Sequence, residues 1–319
     1  MTTQNGLLDY LLSGDPSIAY QTRKYLLGEK EKDLSQLRKR IALEGYGKMF
    51  LEEQNEDLSF GEGFYAPKWV STNYTLLDLR YLEIERETQS LAASVKDIVV
   101  NLTDRDGGIR LSPHGKSSDI CVDGMFLNYA TYFALEESLL KSLVDSLIKE
   151  QLPDGGFNCQ SKTRIVHHSS MHTTLSVLEG IHEYLKHGYL YRKVELERME
   201  KEGREFLLLH NLFRSDKTGE IISPGFLSIS YPPRWKYDIL KALYYFTDAE
   251  VPYDERMDEA LGILDKKRNP DGSFPKGKTL TGNVHFIMEK GRGSRWNTLR
   301  ATRVLQYYER LQGILREDM

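Results

Sequence analysis

The segment NCQSKTRIVHHSSMHTT, residues 158 to 174, brings together Cys159, His167, His168 and His172. Thiolate and neutral imidazole are ligands that zinc favours, and three protein ligands leave a coordination position open for catalysis. His168 and His172 stand four apart and share a face if a helix begins before them. Cys121 lies two residues before Asp123 in SSDICVDGMF. Cys159, His168 and His172 are therefore candidate metal ligands, with zinc as the metal. The spacing matches neither CxxC nor HExxH, so two other readings stand beside it. Cys159 or Cys121 next to an imidazole is a candidate nucleophile, with Asp123 orienting the ring. Alternatively the cysteines are buried and inert, and the histidine is a hydrogen-bonding residue at a helix start. The catalytic candidates are Asp123, His172 and Asp238, the last in RWKYDIL. Asp238 also stands four residues after Arg234 and can pair with it instead.

A second constellation consists of cations and indoles. The chain has 3 tryptophans, and each follows a cation: Lys68-Trp69 in PKWVST, Arg234-Trp235 in PPRWKYD and Arg295-Trp296 in GSRWNT. Each pair opens a helical stretch. Helix starts carry free N–H groups and partial positive charge. Lys68, Trp69, Arg234, Trp235, Arg295 and Trp296, with Tyr237, Lys290 and Arg292 nearby, thus form a candidate site for a phosphate or carboxylate. The competing reading is structural: an indole wedged between helices with a cation stacked on it, repeated along the chain.

Both constellations need elements that bring distant helix starts to one edge, and the sequence supplies them as a repeat. QLPDGGFNC at 151 to 159 returns as RNPDGSF at 268 to 274, with weaker copies in QNEDLSFGEGF, DRDGGI and SDKTGEI. The turns fall near residues 55, 105, 154, 217 and 271, at a spacing suited to two helices and their connections. Each follows an amphipathic stretch such as LLKSLVDSLIKEQ, with apolar residues at three and four. After a variable loop comes a second stretch, more apolar and richer in aromatics, starting near Trp69, Asp123, His172, Trp235 and Trp296. DPSIAYQTRKYLLG supplies a sixth, with Asp15 as N-cap and Pro16 as first helical residue. The expected fold is all-α, an α/α toroid of about six hairpins in one domain spanning 1–319. The aromatic-rich helices lie inside, residues 1–30 close the ring, and the repeats run from about 31.

Composition narrows the function classes. The net charge is −4, so no general basic field recruits nucleic acid. No apolar run is long enough to span a bilayer, and the N-terminus lacks a signal-peptide pattern. Two cysteines make no disulfide framework, which with the absent signal reads as a cytoplasmic protein.

The PDGGF and PDGSF turns, with their apolar flanking helices, resemble the Gln-, Gly- and aromatic-rich repeats of the terpenoid cyclase and protein prenyltransferase superfamily. The likeness is closest to bacterial single-domain prenyltransferase and squalene-oxidase repeat proteins and covers about residues 45 to 310. It implies a toroid with a central pocket for an isoprenoid-like or other apolar molecule, whose anionic head the cations would hold. It also implies zinc on an Asp-x-Cys pair and a later His. Asp123 takes the Asp place and His172 the His place, while Met125 stands where the Cys ligand would be; Cys121, two residues before Asp123, and Cys159, ahead of the next inner helix, would complete a Cys/Asp/Cys/His metal set. The Asp-x-Asp-Asp acid motif of squalene-type cyclases is absent, since DRDGG lacks its third carboxylate. The resemblance therefore favours a zinc-dependent prenyltransferase-like enzyme, a class that uses a second subunit. Two alternatives remain open: a non-catalytic ligand-binding or scaffold toroid, and a carbohydrate-active α/α barrel. The last requires facing carboxylates, for which Asp123 and Asp238 are the sequence candidates.

Overall fold

The computed structural model describes residues 4–115, 118–278 and 281–317. Six inner helical segments surround a common axis: α2 (Pro16–Gln21), α5 (Thr72–Tyr81), α7 (Ile120–Tyr132), α9 (Met171–Lys186), α11 (Ile239–Asp248) and α13 (Arg295–Glu317). The outer layer comprises α1 (Gln4–Leu12), α3 (Glu31–Leu43), α4 (Gly45–Leu51), α6 (Gln89–Leu102), α8 (Glu137–Lys149), α10 (Lys193–Leu209) and α12 (Asp258–Asp265). The ring closes where α13 packs against α1 and α2. On the other side of α2, Ser17 donates to the Leu82 carbonyl and Gln21 to that of Tyr81, at the end of α5. Asp15 caps α2 by accepting from the Ser17 N–H at 2.9 Å, with Pro16 at the first position. No described helix is long and apolar enough to cross a membrane.

The five sequence turns share one geometry. In each, a backbone N–H at its start donates to a carbonyl four or five residues on: Asn55 to Ser59, Asp104 to Gly108, Leu152 to Gly156, Ser215 to Glu220 and Asn269 to Ser273, at 2.7 to 2.9 Å. Gly107, Gly155 and Gly272 hold φ near +90° there, the left-handed region that glycine enters without a Cβ penalty. In all but the turn at 215–221 an apolar side chain then turns into the core, and its N–H is taken by a side chain at the start of the next inner helix. Phe60 donates to Thr72, Phe157 to Thr174 and Phe274 to Thr298, all near 3 Å, and Ile109 donates to Asp123 at 2.7 Å. This latch fixes each loop to its inner helix and satisfies a buried donor that would otherwise cost on the order of 1–3 kcal/mol.

The tightest helix pair is α7 with α9. Gly124 and Gly180 meet there backbone to backbone. A Cβ on Gly124 would lie 2.7 Å from Ser176 O and Val177 Cα, and one on Gly180 would strike Gly124 O. Neither obstacle is a flexible side-chain end. Gly124→Ala or Gly180→Ala should therefore cost about 2 kcal/mol or more in urea unfolding, despite alanine's higher helix propensity. Gly262→Ala, in α12 with open space around it, should instead stabilise by about 0.5–1 kcal/mol.

Candidate functional site

All six inner segments send side chains into a cavity of about 160 Å³ on the ring axis, roughly five waters' share of liquid volume. It lies toward the C-terminal ends of the inner helices. Gln21 comes from α2, Arg80 and Tyr81 from α5, Asn128 and Tyr132 from α7, Glu179, His182 and Glu183 from α9, Tyr244 and Asp248 from α11, and Trp296 and Arg300 from α13. Lys24, Arg38, Arg86 and Lys186 ring the mouth, where the Lys186 side chain is 40% exposed. The opposite, N-terminal side is covered. There the 281–289 segment binds back to Trp69 through Asn283 and Thr281, and Phe286 packs 4.6 Å from Phe50.

The cavity wall is ionic. Arg80 pairs with Glu183. Asp248 takes Lys186 and Arg303, each at 2.8 Å, and faces His182 at 3.4 Å. His182 also faces Glu200 at 3.4 Å. Glu83 takes Lys24 at 2.8 Å and the Tyr25 hydroxyl at 2.6 Å. Burial disfavours the charged forms of these groups, but their partners outweigh it. Arg80, His187 and Lys186 bring Glu183 down to about 2. Lys186, His182 and Arg303 hold Asp248 well below the usual carboxylate range. Asp248 and Glu200 push His182 up to about 9.

Within this paired wall, several buried polar atoms have no partner among the described residues: Arg80 Nε, Tyr81 OH, Asn128 Oδ1, Trp296 Nε1 and Arg300 Nη1. All five belong to residues lining the cavity. Four are donors. Among the described residues Glu179 has one polar side-chain partner, Lys241 at 3.0 Å, whereas Glu83, Glu183 and Asp248 each have two or more.

The residues singled out from sequence lie elsewhere, and the structure does not gather the proposed metal set. Among the described residues no three His, Cys, Asp or Glu side chains converge as metal ligands. Asp123 is fully buried as the repeat latch, accepting from Ile109 N–H, from Ser118 Oγ at 2.8 Å and from Lys162 at 3.2 Å. Burial pushes it up to about 6 despite Lys162. His172 Nδ1 accepts from the Tyr237 N–H at 2.7 Å, and burial lowers the ring to about 4. His168 is exposed beside Lys217. Only Cys121, Cys159 and His172 share a pocket, on the N-terminal face. These residues do not fit a zinc centre, because the carboxylate and one imidazole nitrogen are already used by the fold. Asp238 caps α11 through the Lys241 N–H at 2.8 Å, and burial takes it up to about 6. Neither Asp123 nor Asp238 lines the axial cavity, and each carboxylate is used by the fold.

The three cation–indole pairs are taken up by the fold, and neither arginine stacks on the tryptophan that follows it. Arg234 is buried against Asp78 at 2.9 Å and lies over Trp69 rather than its neighbour Trp235. Arg295 donates to the Tyr10 carbonyl at 2.9 Å and stacks on the Tyr10 ring. Trp296 stacks on Tyr231 at 4.3 Å. Lys68 sits over Tyr65 and Trp235. Tyr237 is buried with its hydroxyl on Leu212 O, and Arg292 is exposed on a loop. These groups form no common anion site, because α11 begins only at Ile239 and the preceding loop folds Arg234 into the core.

No protein-family model and no curated protein matches the chain. Solved structures do match. A glycosyl hydrolase family 88 protein from Bacteroides vulgatus superposes with a TM-score of 0.52 at 12% identity, covering 97% of this chain and 99% of its own. A polysaccharide lyase superposes with a TM-score of 0.51 at 12% identity, covering 97% and 98%. The chain is an α/α toroid. At this identity the likeness is one of fold. It overturns the kinship expected with terpenoid cyclases and prenyltransferases, including the squalene cyclase-like and prenyltransferase-like reading. The apolar, isoprenoid-like ligand falls with it: arginines, lysines and carboxylates line the axis where a hydrocarbon chain would have to lie.

Two outcomes follow. Threonine occupies the latch position in three other repeats, so Asp123→Thr keeps the latch while leaving Lys162 to Asp106 alone, and it should lose less than Asp123→Ala. Asp123→Ala should lose about 1–3 kcal/mol in denaturant titration, and equal losses would contradict the latch. For His182, the folded value of about 9 lies above the unfolded one of about 6.5. Its contribution is complete below about pH 6.5 and lost as pH rises through about 9. The stability gap between wild type and His182→Gln should therefore narrow by up to about 3 kcal/mol between pH 6 and pH 10. A constant gap would contradict a buried imidazolium.

Proposed function

We propose that the protein is a carbohydrate-active toroid that takes a carboxylate-bearing saccharide end into its axial cavity. The observation that carries this reading is the set of unpartnered buried donors on the cavity wall: Arg80 Nε, Tyr81 OH, Trp296 Nε1 and Arg300 Nη1. Buried polar groups are normally paired, and a hydroxyl-rich ring with a carboxylate offers acceptors for all four. The charge balance selects an anion. Lys24, Arg38, Arg80, Arg86, Lys186 and Arg300 line the cavity against Glu83, Glu179, Glu183 and Asp248, and His182 adds a positive charge at neutral pH. Tyr81, Tyr132 and Tyr244 also line the cavity, aromatic groups of the kind that accompany such polar groups in ligand sites. The volume suits one terminal residue of a chain that leaves through the mouth near Lys186. The glycosyl hydrolase and polysaccharide lyase architectures support the carbohydrate assignment by analogy of fold.

If the protein turns over its ligand, Glu179 is the residue placed for proton transfer, because a single Lys241 contact leaves it the least committed carboxylate on the wall. The non-catalytic binding reading is favoured by one feature: the other wall carboxylates are already held by cations.

Thermal shift with digalacturonate, and with cellobiose as the neutral control, tests the proposal. Digalacturonate should raise the melting temperature, cellobiose should not, and Arg300→Ala and Tyr81→Phe should each weaken apparent affinity by about tenfold. No response to any acidic saccharide would assign the cavity to water alone. Release of a shortened product that is lost in Glu179→Gln would make it an enzyme.

A further inference from the structure

On the N-terminal face, away from the axial cavity, Lys68, Cys121, Cys159, His172, Thr173 and Trp235 border an open pocket of about 370 Å³. The Cys159 sulfur is held by two donors. The backbone N–H of Cys121, second residue of α7, lies 3.3 Å from it, and the Thr173 hydroxyl, near the start of α9, lies 3.2 Å from it. It thus sits between the N-terminal ends of two inner helices, where partial positive charge favours a thiolate. Cys159 is partly exposed, whereas Cys121 is 7% exposed and buried under it. The Cys121 thiol and these donors outweigh burial and the Asp119 carboxylate of the same pocket and keep the Cys159 thiol below its ordinary range, while contact with Cys159 and burial push Cys121 well up. His172 is not the base for this sulfur. Its Nδ1 accepts from the Tyr237 N–H, so in the neutral ring the proton is on Nε2.

We propose that Cys159 is a peroxide-reactive thiol and Cys121 its resolving partner. The Cys159 thiolate attacks one oxygen of a hydroperoxide. An S–O bond forms, the O–O bond breaks, and the second oxygen leaves as hydroxide or alkoxide and takes up a proton. The sulfur is now a sulfenic acid. Cys121 gives up its proton and displaces that oxygen: an S–S bond forms, the S–O bond breaks and water leaves. In sum, two thiols lose two electrons and two protons, and the peroxide is reduced to water and, for an alkyl peroxide, an alcohol. The order is set by access, because both thiols border the pocket but Cys159 is partly exposed and Cys121 is buried. This chemistry needs no ligand in the axial cavity and stands apart from the saccharide reading.

The test treats the native protein with hydrogen peroxide and reads the cysteine peptides by mass spectrometry. Wild type should lose two hydrogens as a Cys121–Cys159 disulfide, reversed by dithiothreitol. Cys121→Ser should stop at a sulfenic acid on Cys159 that dimedone captures, and Cys159→Ser should take up no dimedone at Cys121. Without any substitution, iodoacetamide at pH 7 should alkylate Cys159 about threefold or more faster than free cysteine. Alkylation no faster than free cysteine, two thiols still reduced after peroxide, or first oxidation at Cys121 would each overturn the proposal.

Discussion

Six helices set around an axis point polar side chains at one another with no polypeptide between them. Burying an unpaired ion costs several kcal/mol, and removing one partner of a buried pair costs about 3–5 kcal/mol. The toroid meets this constraint by pairing across helices. Arg80 of α5 reaches Glu183 of α9, His182 of α9 reaches Asp248 of α11, and Arg303 of α13 reaches the same carboxylate. These pairs fix how neighbouring inner helices are rotated and how wide the centre stays. The cavity is the space this network leaves, and its unpartnered donors are those that the ring itself does not use.

The two faces of the ring divide the work. Long loops enter the inner helices on the N-terminal face, and the latches tie each loop down. The 281–289 segment and the Arg234–Asp78 pair then close that side over the axis. Short connections on the C-terminal face leave a mouth bordered by lysine and arginine. Ligand access and fold stability are thus placed on opposite sides. The thiol pair occupies a third position, between two helix starts on the covered face.

The helical repeat was legible because it is written in local chemistry. A glycine at positive φ and a following buried Phe or Ile recur at the turns, and their spacing predicts the hairpins, including the Asp15–Pro16 start of α2. The site was not legible, for two physical reasons. The latch uses Thr in three repeats and Asp in one, so Asp123 looks like a ligand when it is a repeat position. Second, Glu179, His182, Glu183 and Lys186 fall at helical spacing and form a polar stripe, a pattern that a solvent-facing helix shares. Only closure turns that stripe toward an axis. In the Arg-Trp pairs the arginines meet partners distant in sequence, Asp78 and Trp69 for Arg234 and Tyr10 for Arg295, which local spacing does not announce.

The most direct test of a polar axial cavity is a crystal structure of the protein soaked with digalacturonate. The account predicts a sugar carboxylate or hydroxyl within hydrogen-bond distance of Arg80 Nε, Arg300 Nη1 and Tyr81 OH, with the second residue leaving past Lys186. Ordered waters alone on those atoms, or the sugar bound on the N-terminal face beside Lys68, would contradict it.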